Sequence, residues 1–244
     1  MSIITPIADP KQVNFYEVVS SRRAVRRFTD KDIPSNVLDA CLDIAMLAPS
    51  SSNLQPWQFL VIESDDTRKK VVEYCMSQNA ARTANKLIVV VARTDTWRQN
   101  AKDNLTYYPS SPVPKSVQDY YGKLIPIAMT RGTLNVFAPA KWAMAQAVRQ
   151  VKGAMVEPMY NSEDLKNWAL TSTALACQNL MLAFRAYGFD SCPMGGFDEP
   201  QLKKLLDLND EQHICMVIAA GERDERGIYS KQYRFERERF IKTL

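Results

Sequence analysis

The stretch that most limits what this chain can fold into is TSTALACQNLMLAF, residues 171–184. It belongs to a helical pattern running from about Glu163 to Tyr187 and is apolar nearly all round rather than along one stripe. A helix of that kind has to be covered over most of its circumference, so it is expected at the centre of a domain or at a subunit interface. Three β-rich runs accompany it: WQFLVIE from Trp57, LIVVVA from Leu87 and ICMVIAAGE from Ile214. Their β-branched and aromatic content predicts core strands. A chain of 244 residues that is 46% hydrophobic can bury an ordinary core, and its length suits one domain or two small ones.

Around these runs the punctuation is clear. Phe15, Val18 and Val19 suggest a short first helix. Ser35 is placed to N-cap a second, whose Val37, Leu38, Cys41, Leu42, Ala45 and Met46 share a face until Pro49 stops it. A third helix is expected over about Asp66 to Ser77. From Arg93 to about Met159 the character changes: YYPSSPVPKS breaks regular structure, and two helices are expected on either side of LNVFAPAKW. That segment reads as an elaboration on the core. Gly188 is suited to end the long helix, Ser191 to Phe197 read as a Gly-rich loop, EPQLKKLL as a short helix, and YSKQYRFERERF as a basic tail.

Several function classes lose their parts at this stage. The formal net charge of +4 is modest, whereas dedicated duplex-DNA binders usually have a pI above roughly 9 with basic residues massed on one face. Nucleic acid is therefore not expected as a partner. No apolar run approaches the roughly 20 residues needed to cross a bilayer, and Met1 to Pro10 lacks the pattern of a signal peptide; a cytoplasmic protein without membrane partners is expected. Five scattered cysteines, none in a C-x-x-C pair, suggest reduced and mostly buried thiols rather than a disulfide framework or a metal site. The single histidine, His213, precedes an apolar run and reads as a strand-edge residue. Without H-E-x-x-H or G-x-S-x-G, neither zinc hydrolysis nor the usual serine triad is indicated.

What remains is a set of four short motifs. SSRRAVRRFT, residues 20–29, puts four arginines into six positions. Alone this is also what a solvated helix face looks like. PSSSNLQPW, residues 49–57, offers short hydrogen-bonding side chains wedged between an apolar helix and an apolar strand; a plain turn would account for its shape. GFDSCPMGGFD, residues 188–198, contains the pair Gly195 and Gly196, which would let the backbone approach a flat ligand closely. SKQYRF returns Lys231 and Arg234 near the end.

In this order and at these separations, SRRAVRRF, APSSSNLQPWQF, YGFDSCPMGGFDEPQL and KQYRF resemble the FMN-dependent nitroreductase family, and the resemblance covers most of the chain. It implies a single α+β domain over 1–244, an antiparallel sheet of four or five strands flanked by helices, with a variable substrate-covering segment at about 93–159. It further implies a homodimer joined through the long central helix, with FMN held at the interface and NAD(P)H as reductant. By the same resemblance Arg22, Arg23 and Arg26, joined by Arg234 and Lys231, would grip the 5′-phosphate. Pro49, Ser50, Ser51, Asn53 and Gln55 would reach the flavin from the partner subunit. Pro193, Met194, Gly195 and Gly196 would lie against the ring, with a backbone N–H of Gly195 or Gly196 near N5, and Asn79 and Arg82 are candidates for its pyrimidine side. Ala24 stands where many members carry a serine or threonine, so one neutral phosphate contact is missing.

The activity so implied is two-electron reduction of nitroaromatics, quinones or similar flat acceptors in a ping-pong cycle, with no side chain acting as a nucleophile. No G-x-G-x-x-G is present for a resident dinucleotide. The same fold and cofactor would also serve reductive dehalogenation, enone reduction or flavin fragmentation, and a non-enzymatic anion- or nucleic-acid-binding module is the alternative of a different class.

Overall fold

The structure, a computed structural model, describes residues 14–244; Met1 to Pro10, considered above for a leader pattern, lie outside them. The strands are β1 (Trp57–Ile62), β2 (Lys86–Arg93), β3 (Asp190–Met194) and β4 (Gln212–Gly221). They form one antiparallel sheet in the order β1-β2-β4-β3. The helices are α1 (Phe15–Ser21), α2 (Ser35–Met46), α3 (Asp65–Tyr74), α4 (Asn79–Thr83), α5 (Trp97–Thr106), α6 (Lys115–Asp119), α7 (Ile125–Met129), α8 (Ala138–Lys152), α9 (Ser162–Ala186) and α10 (Glu199–Leu205). The α+β architecture expected from the sequence is thus present.

The unbroken apolar run in β2 follows from burial on both faces. Leu87, Val89 and Val91 join a core with α3, α4 and α10 residues such as Val71, Ala80 and Leu202. Ile88 and Val90 point the other way, into a second core with Leu38 and Cys41 of α2 and Cys177, Leu180 and Phe184 of α9. The alternation of a pleated strand puts successive side chains into opposite layers, so a central strand covered twice needs no polar position. Between Val90 and Val91 the register with β4 shifts by one residue, Cys215. That bulge puts Ile214 and Val217 into the same core.

The long helix, α9, is central as expected. Its N-terminus carries a reciprocal capping box, with Asn161 and Asp164 each satisfying the other's backbone N–H. Its inner face is buried, and Thr173 donates to the Pro56 carbonyl at 3.1 Å, tying the helix to the loop before β1. Thr171, Ala174, Leu175 and Gln178 remain exposed on the outer face.

Four local expectations are corrected. Ser35 is the first helical residue of α2 and makes no capping bond; Pro34 occupies the cap. The third helix ends at Tyr74, and Met76 and Ser77 turn away with φ of 56° and 47°. LNVFAPAKW is not a break between helices, because α8 begins inside it at Ala138. Most important, Ser191 to Met194 are not loop but belong to β3. Pro193 is accommodated because β3 is an edge strand, where a missing N–H costs no ladder bond.

The 93–159 segment builds a small core of its own: Trp97, Ala101, Ile125 and Met129 enclose Leu54 and Leu165. Lys141 of α8 is buried and donates to the Ala128 and Met159 carbonyls, both at 2.7 Å. Of the cysteines, Cys41, Cys75, Cys177 and Cys192 are buried and Cys215 half-buried, all unbridged. Burial pushes the Cys41 thiol up to about 12 and the Cys75 thiol to about 11, which leaves both protonated. No described helix is long and apolar enough to cross a membrane.

Candidate functional site

The arginine motif is not a helix face. α1 stops at Ser21, and Arg22 adopts extended φ and ψ of −61° and 129°. The chain then runs along the free edge of β3, where Ala24 and Ser191 form a parallel bridge and the Val25 N–H donates to the Ser191 carbonyl at 3.1 Å. The Arg26 N–H donates to the Gly227 carbonyl at 2.8 Å on the other side. Val25 and Phe28 are thereby driven inward and fully or nearly fully buried. Arg22, Arg23 and Arg26 are left on the surface side.

The four arginines are not equivalent. Arg27 is paired with Asp224 at 3.4 Å. Arg23 donates to the Ser230 carbonyl at 2.6 Å, and the Arg26 guanidinium lies 5.5 Å from the centre of the Tyr229 ring. Among the described residues none of Arg22, Arg23 and Arg26 forms an ion pair. With Lys231 and Arg234 from the tail they line a cleft of about 580 Å³ that includes no acidic residue. Such a concentration of unneutralised guanidinium is held together only at the expense of self-repulsion, which an anion relieves with charge-assisted, often bidentate bonds. The field reaches β3: burial pushes the Cys192 thiol up, and Arg26 and Arg22 pull it part of the way back.

The glycine pair lies at the end of β3. Met194 is buried, Pro193 half-buried, and Gly195 and Gly196 exposed. A Cβ at Gly195 would meet nothing within 4 Å, so the backbone there faces open space. The Gly196 carbonyl accepts from the Gln78 side chain at 2.9 Å. Asn79, at the start of α4, reaches the Tyr229 hydroxyl at 3.5 Å, which puts it beside the arginine cleft; Arg82 is exposed on the same helix.

The second motif is elsewhere. Pro49, Ser51, Asn53 and Gln55 are exposed and Ser50 half-buried. Asn53 and Gln55 line a separate cleft of about 870 Å³ between α2, β1 and α5, which also holds Asp39, Asp43 and Asp103. The two clefts share no lining residue. In a single copy the structure therefore joins Arg22, Arg23 and Arg26 with Lys231 and Arg234, but does not bring the 49–55 loop to them. Sequence reasoning missed Tyr229, which supports Arg26, and the pair Asn100 and Asn104, which contact the loop. The spacing of the two asparagines, one helical turn apart in WRQNAKDNLT, was the available signal.

The chain is similar in sequence and in fold to several known proteins. The profile of the Nitroreductase family matches residues 19–222. An NADH dehydrogenase of Thermus thermophilus is 26% identical over 237 residues, covering 97% of this chain and 98% of its own. A 4-nitrobenzoate reductase of Pseudomonas putida is 28% identical over 218 residues, 87% and 86% of the two chains. Among solved structures, the Exiguobacterium sibiricum protein in complex with FMN superposes with a TM-score of 0.72 at 24% identity, over 95% of this chain and 98% of that one.

Proposed function

This chain belongs to the nitroreductase family, and from that premise we propose that it is an FMN-dependent NAD(P)H oxidoreductase acting on nitroaromatics, quinones or similar flat acceptors. One observation carries the reading: three guanidiniums without a carboxylate partner face a cleft that two further tail cations also line. That donor set fits a phosphate monoester, the one strongly anionic group of FMN. Bound there, FMN would supply hydride-transfer chemistry between NAD(P)H and the acceptor.

The chain's own residues bind and orient. Arg22, Arg23 and Arg26 hold the phosphate, with Lys231 and Arg234 closing over it. The exposed backbone of Gly195 and Gly196 offers an N–H toward the ring without a side chain in the way. Gln78 holds the Gly196 carbonyl and so fixes the angle of that peptide. The Ser50 to Gln55 loop and the arginines of the same chain line different clefts, which favours a dimer in which each site draws on both copies. Exposed Phe15, Tyr16, Leu175, Tyr233 and Phe235 give such a dimer apolar surface to bury. NAD(P)H as a transient reductant would need no resident dinucleotide loop, in keeping with a chain that carries no G-x-G-x-x-G.

The test is FMN affinity. Arg22→Ala and Arg26→Ala each remove a charge-assisted bond of about 1.5–3 kcal/mol, which weakens FMN about ten- to a hundredfold while sparing turnover at saturating FMN. Equal affinity in wild type and both variants would refute the cradle.

A further inference from the structure

The loop after α2 is built against its own preference. Ser52, Asn53 and Gln55 have φ of 57°, 50° and 44°, and none is glycine. Left-handed backbone is unfavourable for any residue with a Cβ and persists only where the surroundings over-determine it. Bonds inside the loop supply part of this: the Ser50 hydroxyl accepts from the Gln55 N–H at 3.0 Å, and the Asn53 N–H donates to the Ser50 carbonyl at 3.0 Å.

The rest comes from the 93–159 segment, and its pattern is regular. Three consecutive loop carbonyls each accept from a different side chain of that segment. Tyr121 Oη donates to the Ser52 carbonyl at 3.1 Å, Asn104 Nδ2 to the Asn53 carbonyl at 2.9 Å, and Asn100 Nδ2 to the Leu54 carbonyl at 2.7 Å. Asn104 closes a second bond by accepting from Asn53 Nδ2 at 2.8 Å, and Tyr120 and Ser52 share a hydroxyl bond at 2.7 Å. Between the carbonyls, Leu54 is fully buried in the small core with Trp97 and Ala101. An isolated polar turn has no need of such a grip.

We propose that Asn100, Asn104 and Tyr121 are positioning residues that clamp the 52–55 turn, with its left-handed Ser52, Asn53 and Gln55, so that the substrate-covering segment also sets the geometry of the loop presented to the flavin. This rests on the functional reading above, in which that loop touches the cofactor. The consequence is a mechanical link: movement of α5 is passed to the Asn53 and Leu54 carbonyls, and movement of the helical turn Tyr120–Leu124 to the Ser52 carbonyl. Acceptor size is then read not only by the pocket but by the flavin environment.

The experiment compares Asn104→Ala with wild type, in three measurements on the full-length protein. Amide exchange over 51–55 is expected to quicken about tenfold or more, the visible absorption and fluorescence of bound FMN to shift, and FMN affinity to fall about tenfold. The arginine cradle is untouched, so a merely structural loss would not alter the flavin spectrum at saturating FMN. Wild-type exchange, spectrum and affinity in Asn104→Ala overturn this assignment alone, as does a quickened exchange with an unchanged spectrum. A wild-type protein that binds no FMN overturns the functional reading, and this assignment with it.

Discussion

Arg26 reaches its cleft because its backbone is pinned to Gly227, so Gly227→Ala probes the cradle without touching a charge. The Arg26 N–H bonds the Gly227 carbonyl at 2.8 Å, and the Gly227 N–H bonds the Asp224 carbonyl at 2.8 Å. A Cβ on Gly227 would lie 2.6 Å from the Arg27 carbonyl oxygen and 2.9 Å from Val25 Cγ1. The nearest atom is backbone, about 0.8 Å short of ordinary contact at 3.4 Å, and cannot rotate away. The two segments must separate, which stretches the Arg26 bond and lifts its guanidinium. Overpacking of this kind costs about 1–3 kcal/mol, and at about 2–4 °C per kcal/mol for a domain of this size the melting temperature falls by about 2–12 °C. Displacing Arg26 is expected to weaken FMN about tenfold, equivalent to about 1.4 kcal/mol. Gly122→Ala is the control, since a Cβ there meets nothing within 4 Å, and a change within about 0.5 kcal/mol is expected. Thermal melts and FMN titrations of both variants decide it. A Gly227→Ala protein that melts early yet binds FMN like wild type would show that the cradle does not depend on this register.

Two further outcomes concern stability. Asp190 is 2% exposed and accepts from Arg223 at 2.8 and 3.0 Å and from Arg185 at 3.3 Å, while Arg185 also holds Ser21 beside Arg22; Asp190→Ala is expected to cost about 2–4 kcal/mol, below the full buried-pair figure because both arginines are partly wet, and a denaturant melt within 0.5 kcal/mol of wild type would contradict it. Burial, assisted by Lys203 and Lys166 and opposed by Glu199 and Glu163, holds His213 below its ordinary 6.5. The folded state then binds that proton less well than the unfolded chain, so the His213 contribution is complete above pH 6.5 and is lost as pH falls below it. His213→Gln should flatten the stability profile below pH 6.5, and an equally steep profile in the variant would assign the slope to other groups.

The sheet and the long helix were legible because their signals are local and agree with burial. LIVVVA needs no polar position when α3 and α10 cover one face of β2 and α2 and α9 the other. β3 was not legible: DSCPM carries a proline and runs into paired glycines, which read as loop unless the strand is known to lie at an edge. That knowledge is topological, since it follows from β4 occupying the interior position between β2 and β3. The helices of 93–159 were blurred for a different reason. α5 turns Asn100 and Asn104 toward the protein, so its polar residues do not mark the solvent side and the usual amphipathic period misleads.

The same distinction separates what the motifs could reveal from what they could not. RRAVRR announces cations, but only the extended backbone at Arg22 decides that Val25 goes in and Arg22, Arg23 and Arg26 stay out. Only Asp224, some two hundred residues away, decides that Arg27 is spent on an ion pair. PSSSN likewise announces hydrogen-bonding capacity without revealing that its Ser52 and Asn53 carbonyls, and that of the adjoining Leu54, are already committed to Tyr121, Asn104 and Asn100. In both motifs the composition sets which groups are available, and long-range partners determine which of them are left over for a ligand. A substitution at those distant partners should therefore move flavin affinity as surely as one within the motifs, which is what ties Gly227 and Asn104 to the same assay as Arg26.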